Sequence, residues 1–99
     1  MQIESNNTED GLYLKLSGRL ETSTAPKLQE VVDAEIENVK ELQMDMENIE
    51  YVSSAGLRVL LAASKKMKAN DGHMIVSNVN DDVMDVFEIT GFNEILDIR

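Results

Sequence analysis

Two kinds of apolar spacing alternate along this chain, and their order constrains the fold more than any other feature. Leu12, Leu14 and Leu16 alternate with polar residues, as in a strand with one buried face. The segment after Pro26 instead repeats apolar residues at helical spacing, and so do two later segments. We predict strands at 12–20, 42–46, 73–77 and 94–98, a short edge strand around Ile3, and helices at 28–39, 57–68 and 81–90.

This order predicts an α/β fold. Strands separated by helices pair in parallel through crossover connections, whereas the two opening strands form an antiparallel hairpin across a turn at residues 6–11. Several strands have one polar face, which a sheet covered on both sides would lack. We therefore expect one mixed, mostly parallel sheet with an N-terminal antiparallel hairpin and helices mainly on one face. The length of 99 residues fits a single domain over residues 1–99.

Composition excludes several classes of protein. The formal net charge of −10 disfavours binding to nucleic acid or to anionic membranes and fits a protein that meets other proteins. The absence of cysteine excludes disulfides and thiolate metal sites. No apolar run is long enough to span a bilayer, so we expect no membrane insertion and a cytoplasmic location. His73 is the only histidine, and we expect no metal or cofactor.

Residues 53–56, Ser-Ser-Ala-Gly, lie between the extended run that ends at Val52 and the second long helix, and we call them the serine junction. Ser53 and Ser54 are both suitable N-caps, and Thr24 or Ser23 can cap the first helix in the same way. A glycine destabilises a helix, so Gly56 requires a reason. Either a side chain there would collide with the preceding strand, or a partner approaches closely.

Three loops at the carboxyl ends of the strands are expected to form the functional face. They are Arg19–Thr24, Ser53–Ser54 and Asn78–Asn80. Ser54 lacks a histidine base, because His73 begins a strand at the opposite edge, and no nucleophile elbow or phosphate loop occurs. We therefore expect no catalytic residue and no enzyme. On the residues alone, a serine that only caps the helix is favoured over a phosphorylated one.

Four motifs, in order, resemble those of the STAS family (sulphate transporter and anti-sigma factor antagonist domains), and most closely its single-domain bacterial antagonists. Residues 18–21 are similar to the family's Gly-x-Leu-Asp turn, and 44–46 to its apolar-Asp-apolar strand. Residues 52–57 resemble its Asp-Ser-Ser/Thr-Gly-Leu signature, with Ser53 where the family has Asp. Residues 87–92 are similar to its closing Thr-Gly-Leu segment, and Glu21 stands where Asp is more common.

The resemblance implies an anti-sigma factor antagonist switched by phosphorylation. In that family a serine kinase that is also the anti-sigma factor phosphorylates a serine matching Ser54, with Ser53 as the alternative, and a serine phosphatase restores the binding form. The implied partner-binding residues are Glu21, Thr22, Asp45, Ser53, Ala55, Gly56, Leu57 and Arg58. The chain is expected to be a monomer or weak dimer. Two alternatives stay open: a constitutive, unphosphorylated subunit of a transporter or larger regulatory assembly, and an anion- or nucleotide-binding helix end.

Overall fold

The computed structural model describes residues 1–9 and 11–99, which form five strands, three α-helices and a short 3-10 helix. Asp10, within the predicted turn, lies outside the described residues. The elements are β1 (Gln2–Asn7), β2 (Gly11–Leu20), α1 (Ala25–Glu35), β3 (Glu41–Val52), α2 (Ser54–Ala69), β4 (His73–Ser77), α3 (Asp81–Thr90), the 3-10 helix (Phe92–Glu94) and β5 (Asp97–Ile98).

One sheet with strand order β1-β2-β3-β4-β5 organises the molecule. β1 pairs with β2 antiparallel, and every later pair is parallel, as predicted. In β2, Leu12, Leu14 and Leu16 are buried, while Tyr13 and Lys15 between them are partly exposed. The buried residues of all three helices join the same core cluster as these leucines. The helices therefore cover one face of the sheet, and the other face is open.

Two of the three helices begin with a side-chain cap. Ser53 caps α2, and Asn80 caps α3 by accepting a hydrogen bond from the Val83 N–H at 2.8 Å. The prediction that Thr24 or Ser23 caps α1 is wrong. The Thr24 hydroxyl instead accepts from the Glu21 N–H (2.9 Å) and donates to the Arg19 carbonyl (2.6 Å), so it closes the preceding loop.

Three predicted boundaries are also wrong. The strand predicted at 42–46 continues to Val52. α1 ends at Glu35, earlier than the predicted Val39, which packs on the core from the following loop. The predicted final strand at 94–98 is shortened to Asp97–Ile98. Gly91 adopts φ +80°, and the chain then winds into the 3-10 helix, with the Ile95 N–H bonded to the Phe92 carbonyl. Ile95 therefore lies outside the sheet.

Candidate functional site: the serine junction

The serine junction is fixed by the ends of two neighbouring strands. The Ser53 N–H donates to the Leu20 carbonyl at 2.9 Å, which holds the end of β3 against the end of β2. The Ser53 hydroxyl accepts from the Gly56 N–H at 3.5 Å, a long hydrogen bond that makes Ser53 a weak N-cap. The backbone of the junction is therefore held mainly by the sheet.

Ser54 is the first residue of α2, and its side chain is exposed. Among residues 1–9 and 11–99, no hydrogen bond involves its hydroxyl. The first-turn N–H groups of a helix favour negative charge nearby. The junction thus presents an accessible hydroxyl at the positive end of a helix of 16 residues.

Gly56 has a packing role. A Cβ placed there would lie 2.7 Å from Leu20 Cγ and 2.8 Å from the Leu20 carbonyl oxygen. Both separations are shorter than van der Waals contact, so only a glycine lets α2 begin this close to β2. The backbone of Gly56 is buried against the sheet, so packing within the chain accounts for this glycine, and its role in partner binding stays a prediction. Leu57 is likewise a core residue, with 6% of its surface exposed.

Arg19 and Tyr51 form a contact that the sequence prediction missed. They are paired across β2 and β3, and the Arg19 guanidinium carbon lies 4.5 Å from the centre of the Tyr51 ring. Arg19 Nε also donates to Glu21 Oε2 at 3.2 Å. Tyr51 immediately precedes the end of β3 and is 41% exposed. The sequence feature that could have indicated this contact is the aromatic Tyr51, two positions before Ser53.

An open depression of about 400 Å³ lies next to the junction. It is lined by the β2–α1 loop and by the end of β3, through Glu21, Thr22, Ser23, Tyr51 and Ser53. The structure therefore brings the predicted Glu21, Thr22 and Ser53 together. Ala55 is half-buried, and Arg58 is exposed on the first turns of α2.

Asp45 is placed elsewhere. It lies in β3 opposite Lys15, five positions of β2 before Leu20, and its side chain is on the open face of the sheet. It is bound by the Tyr13 hydroxyl and by Asn78 Nδ2, the latter at 3.0 Å. The prediction that Asp45 lines the serine junction is therefore wrong, since it contacts the β4–α3 loop.

The Tyr13–Asp45 pair alters both pKa values. The hydrogen bond to the Asp45 carboxylate, with burial, raises the pKa of Tyr13 to about 12. Burial alone would raise the pKa of Asp45, but hydrogen bonds from Tyr13, the Glu47 N–H and Asn78 outweigh it and lower that pKa. The cluster is a charged carboxylate satisfied by neutral donors.

Two further observations concern metal binding and membrane-spanning helices. Within residues 1–9 and 11–99, no group of three or more acidic or histidine side chains is arranged to hold a metal ion. None of the helices in the described part of the chain has both the length and the apolar character needed to cross a membrane.

The fold and the junction define a small α/β domain that exposes a serine at a helix start beside a shallow surface depression. The chain belongs to the STAS domain family, whose model matches residues 2–99. This confirms the resemblance found in the motifs.

One relative and two solved structures are similar to this chain. The anti-sigma-B factor antagonist of Listeria monocytogenes is 29% identical over 102 residues, covering 100% of this chain and 87% of that protein. An anti-sigma factor antagonist from Mycobacterium paratuberculosis superposes with a TM-score of 0.87 at 20% identity, over 98% of this chain and 83% of that one. The phosphorylated form of the Bacillus cell fate determinant SpoIIAA gives 0.77 at 17% identity, over 99% and 91%. The two structural matches show the shared fold.

Proposed function

We propose that this protein is an anti-sigma factor antagonist whose binding is switched by a phosphate on Ser54. The observation that carries the proposal is the exposed Ser54 hydroxyl at the first position of α2. The antagonist named for Listeria monocytogenes, which aligns with the whole chain, supports it. A related fold is also known in a phosphorylated form.

A phosphate on Ser54 is compatible with the fold. It would add about −1.5 to −2 charges and three acceptor oxygens at the helix end where negative charge is favoured. No hydrogen bond among the described residues would be broken, since the Ser54 hydroxyl makes none there. Phosphorylation would therefore change the surface that a partner meets and leave the domain folded.

The same reasoning favours Ser54 over Ser53. The Ser53 hydroxyl is half-buried and accepts the Gly56 N–H, so a kinase would have to displace this cap to reach it. Ser54 is free on the surface and is the serine that the family motif aligns with the acceptor. We assign the phosphate to Ser54.

The proposed contact surface surrounds the acceptor. Thr22, Glu21 and Ser53 line the depression, and Tyr51 supplies an exposed aromatic ring of the type enriched at energetic centres of interfaces. Arg58 extends this surface along α2. A phosphate in its middle would have to be desolvated on binding, which costs far more than desolvating a hydroxyl.

The proposed partners are a serine kinase that also serves as the anti-sigma factor, and a serine phosphatase. The unphosphorylated protein binds the kinase and so frees the sigma factor; phosphate on Ser54 ends that binding, and the phosphatase restores it. The chain itself catalyses neither step, acts in the cytoplasm and needs no cofactor. Catalytic groups for both reactions come from the partners.

Binding measurements with single-residue variants test the switch. The purified anti-sigma serine kinase of the same organism is titrated with the protein and with Ser54→Asp, which we expect to bind at least about tenfold more weakly. Ala34→Asp is the matched control, because it adds the same charge at an exposed position of α1. Equal affinity of Ser54→Asp and the unaltered protein would contradict the switch and favour a constitutive subunit.

A further inference from the structure

The end of α3 exposes apolar side chains far from the serine junction. Ile89 has 86% of its surface exposed, and Ile95, just beyond the Gly91 turn, has 45%. In the described part of the chain only one other large apolar side chain is exposed, Tyr51 beside the serine junction. Single exposed apolar residues are ordinary, but Ile89 and Ile95 lie on either side of the same Gly91 turn, and both offer apolar surface to a partner there.

Acidic residues occupy exposed positions along the length of the same helix. Asp81, Asp82, Asp85 and Glu88 are all exposed on α3, and none forms an ion pair within residues 1–9 and 11–99. No Lys, Arg or His occurs between residues 74 and 98. We call the exposed set Asp81, Asp82, Asp85, Glu88, Ile89 and Ile95 the α3 face.

Helix stability explains only some of the acidic residues on α3. Asp81 and Asp82 occupy the first turn of α3, where acidic residues stabilise a helix through its dipole. Glu88 is in the last turn, where a negative charge opposes the dipole and a cation would be favoured. The exposed side chains of Glu88 and Ile89 form no ion pair and no core contact among residues 1–9 and 11–99, so both are available to another protein.

We propose that the α3 face docks a second protein that presents a basic surface around an apolar pocket. Charge complementarity selects this partner. A second copy of the chain would place the same acids opposite one another in a symmetric contact, which repels. Nucleic acid and anionic membranes are repelled for the same reason.

The α3 face is separate from the serine junction. α3 starts at the carboxyl edge of the sheet, after β4, and runs back toward the amino edge. About 12 Å of helix separates Asp81 from Ile89, so the isoleucines lie toward the edge opposite Ser54. A partner seated on Ile89 would leave the phosphorylation switch accessible.

Photo-crosslinking in living cells tests the proposal. Asn93→p-benzoylphenylalanine places the probe at an exposed position between the two isoleucines, and Ala34→p-benzoylphenylalanine on α1 is the control. We expect one discrete adduct from position 93 and none from position 34. Its crosslinked partner segment, identified by mass spectrometry, should carry net positive charge.

Two variants define the contact. Ile89→Ser and the pair Asp85→Lys with Glu88→Lys should each lower the adduct yield, and should weaken binding of the purified partner about tenfold or more. All three side chains are exposed, so folding should be retained. An adduct insensitive to both variants, an adduct of the chain with itself or with lipid, or no adduct would overturn the proposal.

The same experiment in a Ser54→Asp background separates the α3 face from the proposed switch. We expect the adduct from position 93 to persist there. Its loss would overturn a second surface, because the residues around Ile89 would then belong to the switched interface.

Discussion

Gly56 allows the packing of the serine junction to be tested quantitatively. In the described structure an added Cβ would lie 2.7 Å from Leu20 Cγ, 2.8 Å from the Leu20 carbonyl oxygen and 3.1 Å from Val52 Cγ1. The Leu20 side chain is fully buried, which limits how far it can move. The carbonyl oxygen cannot move freely, because it accepts the hydrogen bond from the Ser53 N–H. Gly56→Ala must therefore push α2 away from the strand ends.

Two opposing effects determine how much Gly56→Ala changes the free energy of unfolding. Replacing glycine by alanine in a helix is worth about 1 kcal/mol in helix propensity, and less near the N-terminus. Adding a methyl group to a close-packed site costs about 1–3 kcal/mol, and a backbone collision lies at the upper end. We expect Gly56→Ala to lower the free energy of unfolding by about 1–2 kcal/mol, which corresponds to a fall in Tm of about 5–15 °C for a domain of this size.

Urea unfolding followed by far-UV circular dichroism measures this free energy. Ala62→Gly, at an exposed position within α2, is the control that reports the propensity term alone and should cost about 1 kcal/mol. If Gly56→Ala unfolds at higher urea concentration than the unaltered protein, the steric argument is refuted. Gly56 would then have been available for contact with a partner.

Three further predictions follow from the caps and the open face. Asn80→Ala removes the acceptor for the Val83 N–H and the donor to the Ile49 carbonyl, both at 2.8 Å, and should cost about 1–2 kcal/mol in urea unfolding. Ser53→Ala removes only the long bond to the Gly56 N–H and should cost less than Asn80→Ala; the reverse order would contradict the assignment of the caps. Because the pKa of Tyr13 is raised to about 12, its contribution to stability is present below pH 10 and is lost as the pH rises through about 12. In Tyr51→Phe, which leaves Tyr13 as the only tyrosine, ultraviolet absorbance should show an ionisation midpoint near pH 12. A midpoint near pH 10, the value of an unperturbed tyrosine, would rule out the bond to Asp45.

The order of strands and helices could be predicted because the apolar spacing typical of each element occurs within a few neighbouring residues. Alternation in β2 and helical spacing in α1 and α2 are visible within a few residues, and Gly91 marked the end of α3. The final strand was overestimated because Ile95 and Leu96 fit a strand pattern. What decided their conformation was the turn at Gly91, whose hydrogen bonds start a 3-10 helix.

The site was harder to predict because it depends on pairing between strands. Arg19 meets Tyr51 only because β2 and β3 contain register shifts near Gly18, which the sequence pattern does not reveal. Asp45 was assigned to the junction from its position before a strand end, but β3 continues to Val52. Packing against the strand and access for a partner both explain a glycine at position 56. The evidence for packing is the short distance from a Cβ added at Gly56 to Leu20, which only the structure gives.

The position of a phosphate on the natural protein decides whether Ser54 is a switch. The intact protein is isolated from its own cells, its mass is determined before and after phosphatase treatment, and fragmentation locates any modification. We expect a single phosphate, on Ser54, that phosphatase removes. Absence of phosphate under every growth condition, or a phosphate on any residue other than Ser54, would contradict it.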